Sequence, residues 1–228
     1  MHVELVDLFR CPVPHEDAWL VAAANKTVNR VIVQGVLGCP VCNAEYPIVD
    51  GVAHFTAARA TASGTTARGT AESDTTVDEQ PIVDAVGEAE TFRTAAQLDL
   101  SSPGKTIALI GYDASRARAL LDLADCRVVV VNGTTGAFDL RGASFANIRC
   151  DDMLPVATAS LHGVALRGGA MPANAVQALR ADGRLVAPAY LDVPPGTREI
   201  ARDHQEWVVA RDGVTSPPVR LSRRQSSA

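Results

Sequence analysis

The sequence predicts an open α/β sheet preceded by a small β module. Three observations carry this expectation. From residue 105 onward, apolar runs of strand length alternate with helix-patterned stretches, the signature of helices layered on a sheet. Residues 1–56 instead hold short β-prone runs broken by turns, and they contain Cys11, Cys39 and Cys42. Between these units, residues 57–80 change composition. Thr, Ala, Gly and Ser dominate there and bulky apolar residues almost vanish, as in a linker or long loop. The expected organisation is a module at 1–56, a linker at 57–80, an α/β unit at 81–215 and a peripheral tail at 216–228.

In the first unit, AWLVAAA reads as a strand or a helical turn. RVIVQGVLGC reads as a strand entering a turn. AEYPIVDGVAHF reads as strand, Asp-Gly turn and strand. A unit of this size buries little surface and needs a staple.

In the second unit, DAVGEAETFRTAAQLDL is a helix candidate and KTIALIGY suits a buried parallel strand. ASRARALLDLAD places Ala114, Ala117, Leu120, Leu121 and Ala124 at helical spacing. CRVVVVNG is the strongest strand signal, followed by FANIRCD and LHGVALRG. PANAVQALRADG predicts a helix, with Pro172 near its start and Gly183 just past its end. GRLVAPAYL reads as a strand, REIARDH as a helix and EWVVARDG as a terminal strand.

Composition narrows the function classes. The 228 residues suffice for one ordinary domain plus a small module. Apolar content of 47% supports a real core. A net charge of −5 does not favour nucleic acid, and Arg223–Arg224 is the nearest thing to a basic block. At 4%, aromatics are too scarce to suggest a base-stacking platform. MHVELVDLF lacks the charged and apolar regions of a secretory leader, and no apolar run reaches 18 residues. Five cysteines, an odd number, then point to a reduced, cytoplasmic chain with no membrane span. Cys126 and Cys150 read as small buried hydrophobes.

The other three cysteines have metal-ligand spacing. Structural zinc takes four Cys or His ligands in two pairs. GCPVC supplies Cys39 and Cys42. CPVPH supplies Cys11, with Pro14 where a second cysteine would sit and His15 one residue later. An imidazole reaches further than a thiolate, so Cys11, His15, Cys39 and Cys42 form the expected set. His2 and His54 are rival fourth ligands, and a metal-free relic is the competing reading. Three thiolates and an imidazole make a closed, structural site rather than a catalytic one.

This stretch resembles the Trm112-like family of small zinc-ribbon proteins. The second half of that pattern is matched by Cys39, Cys42, Tyr46, Pro47, Ile48, Asp50 and Gly51. The first knuckle, Pro14 and His15, departs from it. The resemblance implies a zinc ribbon and a protein partner, because such proteins accompany methyltransferases as partner chains or fusions.

In an open α/β sheet, a nucleotide-like cofactor lies at the C-terminal ends of the strands. A glycine-rich turn should follow the first strand, and an acid that bonds ribose should end the second. Here Gly111 is followed by Tyr112, Asp113, Ala114 and Ser115, and the second strand ends in Asn132. Asn132 retains hydrogen-bonding capacity toward a ribose without the charge. IALIG, DDMLP and ALRADGRLVAPAYL, in that order over about residues 90–215, resemble class I S-adenosylmethionine-dependent methyltransferases. That resemblance implies a Rossmann-like, methyltransferase-type sheet. It also implies S-adenosylmethionine contacts at Gly111, Tyr112, Asn132, Asp151, Asp152 and Leu154.

The groups available for acid–base work are Tyr112, Asp151, Asp152 and His162, although His162 is at least as readily structural. Asp113 is a better helix N-cap than a catalyst. Arg167, Gly168, Gly169, Tyr190 and Asp192 are further strand-end candidates. Three readings follow. The first is a degenerate methyltransferase-fold interaction protein. The second is an active methyltransferase acting on a small molecule, protein or RNA. The third is a different nucleotide-binding α/β protein.

Overall fold

The computed structural model describes residues 1–56, 87–133 and 144–213. The expected linker at 57–80 and tail at 216–228 lie outside the described residues.

The first unit opens with a 3-10 turn, Val3–Leu8, and continues with four strands: β1 (Val21–Val28), β2 (Val31–Gly38), β3 (Glu45–Val49) and β4 (Val52–Phe55). The ambiguous AWLVAAA is strand from Val21 onward. Asn29–Arg30 and Asp50–Gly51 close two-residue hairpins, and all four residues have positive φ, which fits the right-handed twist of the strands. Helix α1 (Glu88–Gln97), strand β5 (Lys105–Ile110), helix α2 (Ala114–Leu123) and strands β6 (Cys126–Val131), β7 (Phe145–Cys150) and β8 (Leu161–Leu166) follow. A single turn α3 (Ala175–Ala178) leads to β9 (Leu179–Pro188), β10 (Thr197–Arg202) and β11 (Glu206–Arg211).

Two predicted helices are corrected. In PANAVQALRADG, helix lasts one turn and Leu179 already pairs with Leu161 of β8. The register then slips, so that Gly163 faces Arg184, and Arg180–Gly183 bulges out with Asp182 at φ +60°. REIARDH is not helical either. It forms the exposed edge strand β10, where no buried face imposes an alternating pattern.

All eleven strands join one sheet in the order β1-β2-β3-β4-β7-β6-β5-β8-β9-β11-β10. The parallel run β7-β6-β5-β8-β9 is the third-second-first-fourth-fifth order of doubly wound folds, with its switch point between β5 and β8. β11 runs antiparallel to β9 and β10 antiparallel to β11. The N-terminal strands extend this sheet, because β4 pairs in parallel with β7, Val52 opposite Asn147 through Phe55 opposite Cys150.

The two faces are covered differently. Ile107, Leu109, Val128, Val130 and Val208 pack on the face that carries Ala117 and Leu120 of α2. The opposite face, with Ala108, Ile110, Val129, Ile148 and Trp207, belongs to a core that also takes in Met1, Leu5 and Phe9. Backbone bonds lay the N-terminal segment alongside residues 155–157. Arg10 N–H donates to the Pro155 carbonyl, and Ala157 N–H donates to that of Leu8.

Candidate functional site

Two loops bring the expected metal ligands together. A Cys11 N–H to Ala18 carbonyl bond closes the first, and Arg10 pairs with Trp19 across its base. The Arg10 guanidinium also stacks 3.2 Å from the centre of the Trp19 ring. The second loop turns tightly after β2, with Asn43 N–H on the Cys39 carbonyl and Asn43 itself at φ +57°. The donor atoms of Cys11, His15, Cys39 and Cys42 all lie within 4.8 Å of one another.

Their spacing fits a tetrahedral ion. Bonds of ~2.3 Å to sulfur and ~2.0 Å to nitrogen place two sulfurs about 3.8 Å apart and a sulfur and nitrogen about 3.5 Å apart. Cys11 Sγ lies 3.6 Å from Cys42 Sγ, and Cys39 Sγ lies 3.4 Å from His15 Nε2. His15 Nδ1 faces the Glu16 carbonyl, so the ring proton sits there and the Nε2 lone pair points at the cluster. His2 instead accepts from the Glu4 N–H, and His54 lines a groove outside the cluster.

The thiols are held unequally. Burial raises the Cys39 thiol, but backbone N–H groups of Cys42 and Val41 outweigh it and bring the pKa down to about 7. Burial pushes Cys11 up to about 11. Cys11 receives one backbone donor, Val13, because Pro14 stands where Cys42 supplies an N–H in the other loop. The Tyr46 hydroxyl, 3.1 Å from Cys11 Sγ, takes that place. Tyr46 stacks against Phe55, and Phe55 against Phe9, at centroid distances of 5.0 and 5.6 Å. The cluster is thereby tied to the core. The sequence marks Tyr46 only as part of the family pattern and does not reveal its contact with Cys11, which is made across space.

At the strand ends the expected cofactor positions diverge. Gly111 follows β5 at φ +73°. Asp113 caps α2, as expected, accepting from the Arg116 N–H at 3.0 Å and from the Ser115 hydroxyl. The helix N-terminus, where an anion would lie, therefore already holds its own carboxylate. The Tyr112 side chain is buried in the core with Leu109, Leu120 and Val130, and burial raises its pKa to about 12. Its backbone lies on the end of β6. A Cβ added to Gly133 would come 2.1 Å from the Tyr112 carbonyl oxygen, so only glycine allows this approach.

Asn132, at φ +53°, turns its amide onto β7. Its Nδ2 donates to the Cys150 carbonyl at 2.8 Å, and its Oδ1 accepts from the Cys150 N–H at 3.0 Å. A second asparagine, Asn174, holds Leu154 in the same two-bond manner, each bond 2.8 Å. The 150–154 loop is thus clamped at both ends. Leu154 is buried in the core with Phe9 and Phe55. Asp151 and Asp152 are exposed and border a cavity of about 260 Å³, together with Ile110, Val131, Asn132 and Met171.

The remaining acid–base candidates do not converge. His162 sits at the start of β8, at the opposite end of the sheet from Gly111, and accepts the Thr106 N–H at 3.0 Å through Nδ1. Its Nε2 lies 3.0 Å from Arg180 Nη1. Arg167, Gly168 and Gly169 do lie at the Gly111 end, with Arg167 3.6 Å from Asp113. Tyr190, 71% exposed, places its hydroxyl near Gly168, and Asp192 is exposed.

No family model matches the chain, and no curated protein matches it. Three methyltransferases are among the solved structures similar to it. A geranyl diphosphate methyltransferase in complex with SAM is 18% identical, with a TM-score of 0.35 over 44% of this chain and 48% of that one. A putative S-adenosyl-L-methionine-dependent methyltransferase of Methanococcus maripaludis is 8% identical, with a TM-score of 0.41 over 59% and 88%. The 1,6-didemethyltoxoflavin-N1-methyltransferase of Burkholderia thailandensis, with 1,6-didemethyltoxoflavin and S-adenosylhomocysteine bound, is 18% identical, with a TM-score of 0.35 over 56% and 64%. The chain thus spans about half the length of the first of these. The fold class expected from the sequence, an open Rossmann-like α/β sheet with a small N-terminal β module, is the one observed. Among the described residues, no helix is long and apolar enough to cross a membrane.

Proposed function

We propose that this chain is a methyltransferase-fold protein that no longer binds its cofactor tightly and works as an interaction protein stapled by zinc. The observation that carries the reading is Asn132. At the position where an acid would hold a ribose, its amide turns one donor and one acceptor site onto Cys150 instead. The size of the neighbouring cavity agrees. At about 260 Å³ it falls below the ~300–1,000 Å³ common for small-molecule and cofactor sites.

The zinc assignment rests on the gathering of the Cys11, His15, Cys39 and Cys42 donor atoms within 4.8 Å of one another, with the Cys11–Cys42 and Cys39–His15 separations near those of a tetrahedral ion. The resemblance of residues 1–56 to the Trm112-like ribbons supports the same metal and a protein partner. A zinc–thiolate set of this kind belongs in a reducing compartment such as the cytoplasm. Bound zinc would supply structural crosslinking and no reactive position, because the four protein donors fill its coordination.

Calorimetric titration with S-adenosylmethionine and S-adenosylhomocysteine tests the reading. The expected result is no saturable heat at millimolar ligand. A micromolar dissociation constant for either would overturn it and favour an active methyltransferase.

A further inference from the structure

A second cavity lies away from the β5–β8 switch point. It is a groove of about 710 Å³ between the first metal-binding loop, β3, the end of β4 and the 151–153 loop. Its walls are apolar. Pro12, Val13, Pro47, Val49, Phe55 and Met153 supply them, and three of these are large exposed hydrophobics: Val13 at 40%, Val49 at 50% and Met153 at 46%. Its charges are of one sign. Glu45, Asp151 and Asp152 line it, and among the described residues no Lys or Arg does. Among the described residues, neither Glu45 nor Asp152 forms an ion pair.

We propose that this groove docks a short segment of a partner protein in which an apolar side chain neighbours a Lys or Arg. The assignment follows from complementarity. The apolar walls gain by leaving water, and the carboxylates at the rim select a cation and repel its opposite. Nucleic acid is the wrong occupant, because its phosphates would meet the carboxylates of Glu45 and Asp152. The metal cluster sits directly behind the groove, since Tyr46 lines it and bonds Cys11. The metal would thus fix the groove's shape by holding the Pro12–Pro14 wall against β3. This inference rests on the interaction-protein reading and names the chemistry of the partner.

The test uses the zinc-loaded full chain, with methyl-labelled valine and methionine observed by NMR. Two probes are titrated, acetyl-Leu-Val-Lys-amide and acetyl-Leu-Val-Glu-amide. The lysine peptide is expected to shift the Val13, Val49 and Met153 methyls and to bind about fivefold more tightly than the glutamate peptide, as suits a rim charge. Glu45→Gln with Asp152→Asn should bring the two peptides close to equal affinity, and Val49→Asp should abolish both. Circular dichroism checks that the variants fold. Methyls unmoved by millimolar lysine peptide, or moved alike by both peptides, would overturn the proposal. S-adenosylhomocysteine titrated into the same sample separates the two readings. Tight cofactor binding with peptide discrimination intact would sink the non-catalytic reading and leave the groove standing.

Discussion

Asn132 illustrates how one side chain can tie two strand ends together. Replacing the expected acid with an amide adds a donor, and that donor is what the Cys150 carbonyl needs. Asn132→Asp would set a carboxylate oxygen against that carbonyl. We expect a loss of about 1–3 kcal/mol in urea unfolding at neutral pH. The loss should shrink in acid, where a protonated carboxyl can donate. An unchanged midpoint at neutral pH would mean that the clamp contributes nothing. Tyr46 acts at the same scale. Tyr46→Phe removes the donor that stands in for the N–H that Pro14 lacks, so zinc affinity measured against a competing chelator should fall about tenfold or more. The ligand spacing CPVPH…CPVC was legible in the sequence because both loops are local. The roles of Tyr46 and Asn132 were not, because each acts on a residue 18 or more positions away.

Among the elements, the buried strands were the easiest to read. CRVVVV and TIALI are buried on both faces, so continuous β-branched and apolar runs announce them. The failures came where burial stops. β10 is exposed nearly throughout, and α3 loses its second turn because Leu179 finds a strand partner that no local pattern reveals. The α1–α2 pair carries a charge relation that can be tested. Arg116 of α2 is 3% exposed and reaches Glu90 of α1, which is 62% exposed. Its Nε and Nη1 are buried without a partner among the described residues. The hydrogen bond from Arg116 holds the Glu90 carboxyl below its ordinary value. The bond from Lys105 does the same for Asp99. At Asp113 burial works the other way, but the Ser115 and Arg116 hydrogen bonds outweigh it. Depressed carboxylates stabilise the fold above their unfolded pKa values, and that contribution is lost as pH falls through the folded ones. Stability should therefore hold above about pH 5 and decline below about pH 4.5. Glu90→Gln should cost about 1–2 kcal/mol at neutral pH, less than a fully buried pair because Glu90 is solvated, and should flatten part of the acid slope.

For the whole molecule, the continuous sheet and shared core would make a bound metal a global determinant. Met1, Leu5 and Phe9 belong to the same buried cluster as Val129, Ile148 and Trp207. Removing zinc with a strong chelator should therefore lower the melting temperature of the entire chain in one transition. Separate melting of residues 1–56, with the rest unchanged in calorimetry, would show the two parts to be independent.

The β4–β7 pairing also sets a timetable. β4 ends at Phe55 and its partner begins at Phe145, so the two lie about 90 residues apart along the chain. At ribosomal speeds of ~5–20 residues per second, a nascent β4 would wait roughly 5–20 s for that partner. During this interval its open edge is free to pair with another chain. Early metal capture by the Cys11–Cys42 segment would fold the β2–β4 meander but leave that edge bare, which makes the interval of synthesis this protein's most exposed moment.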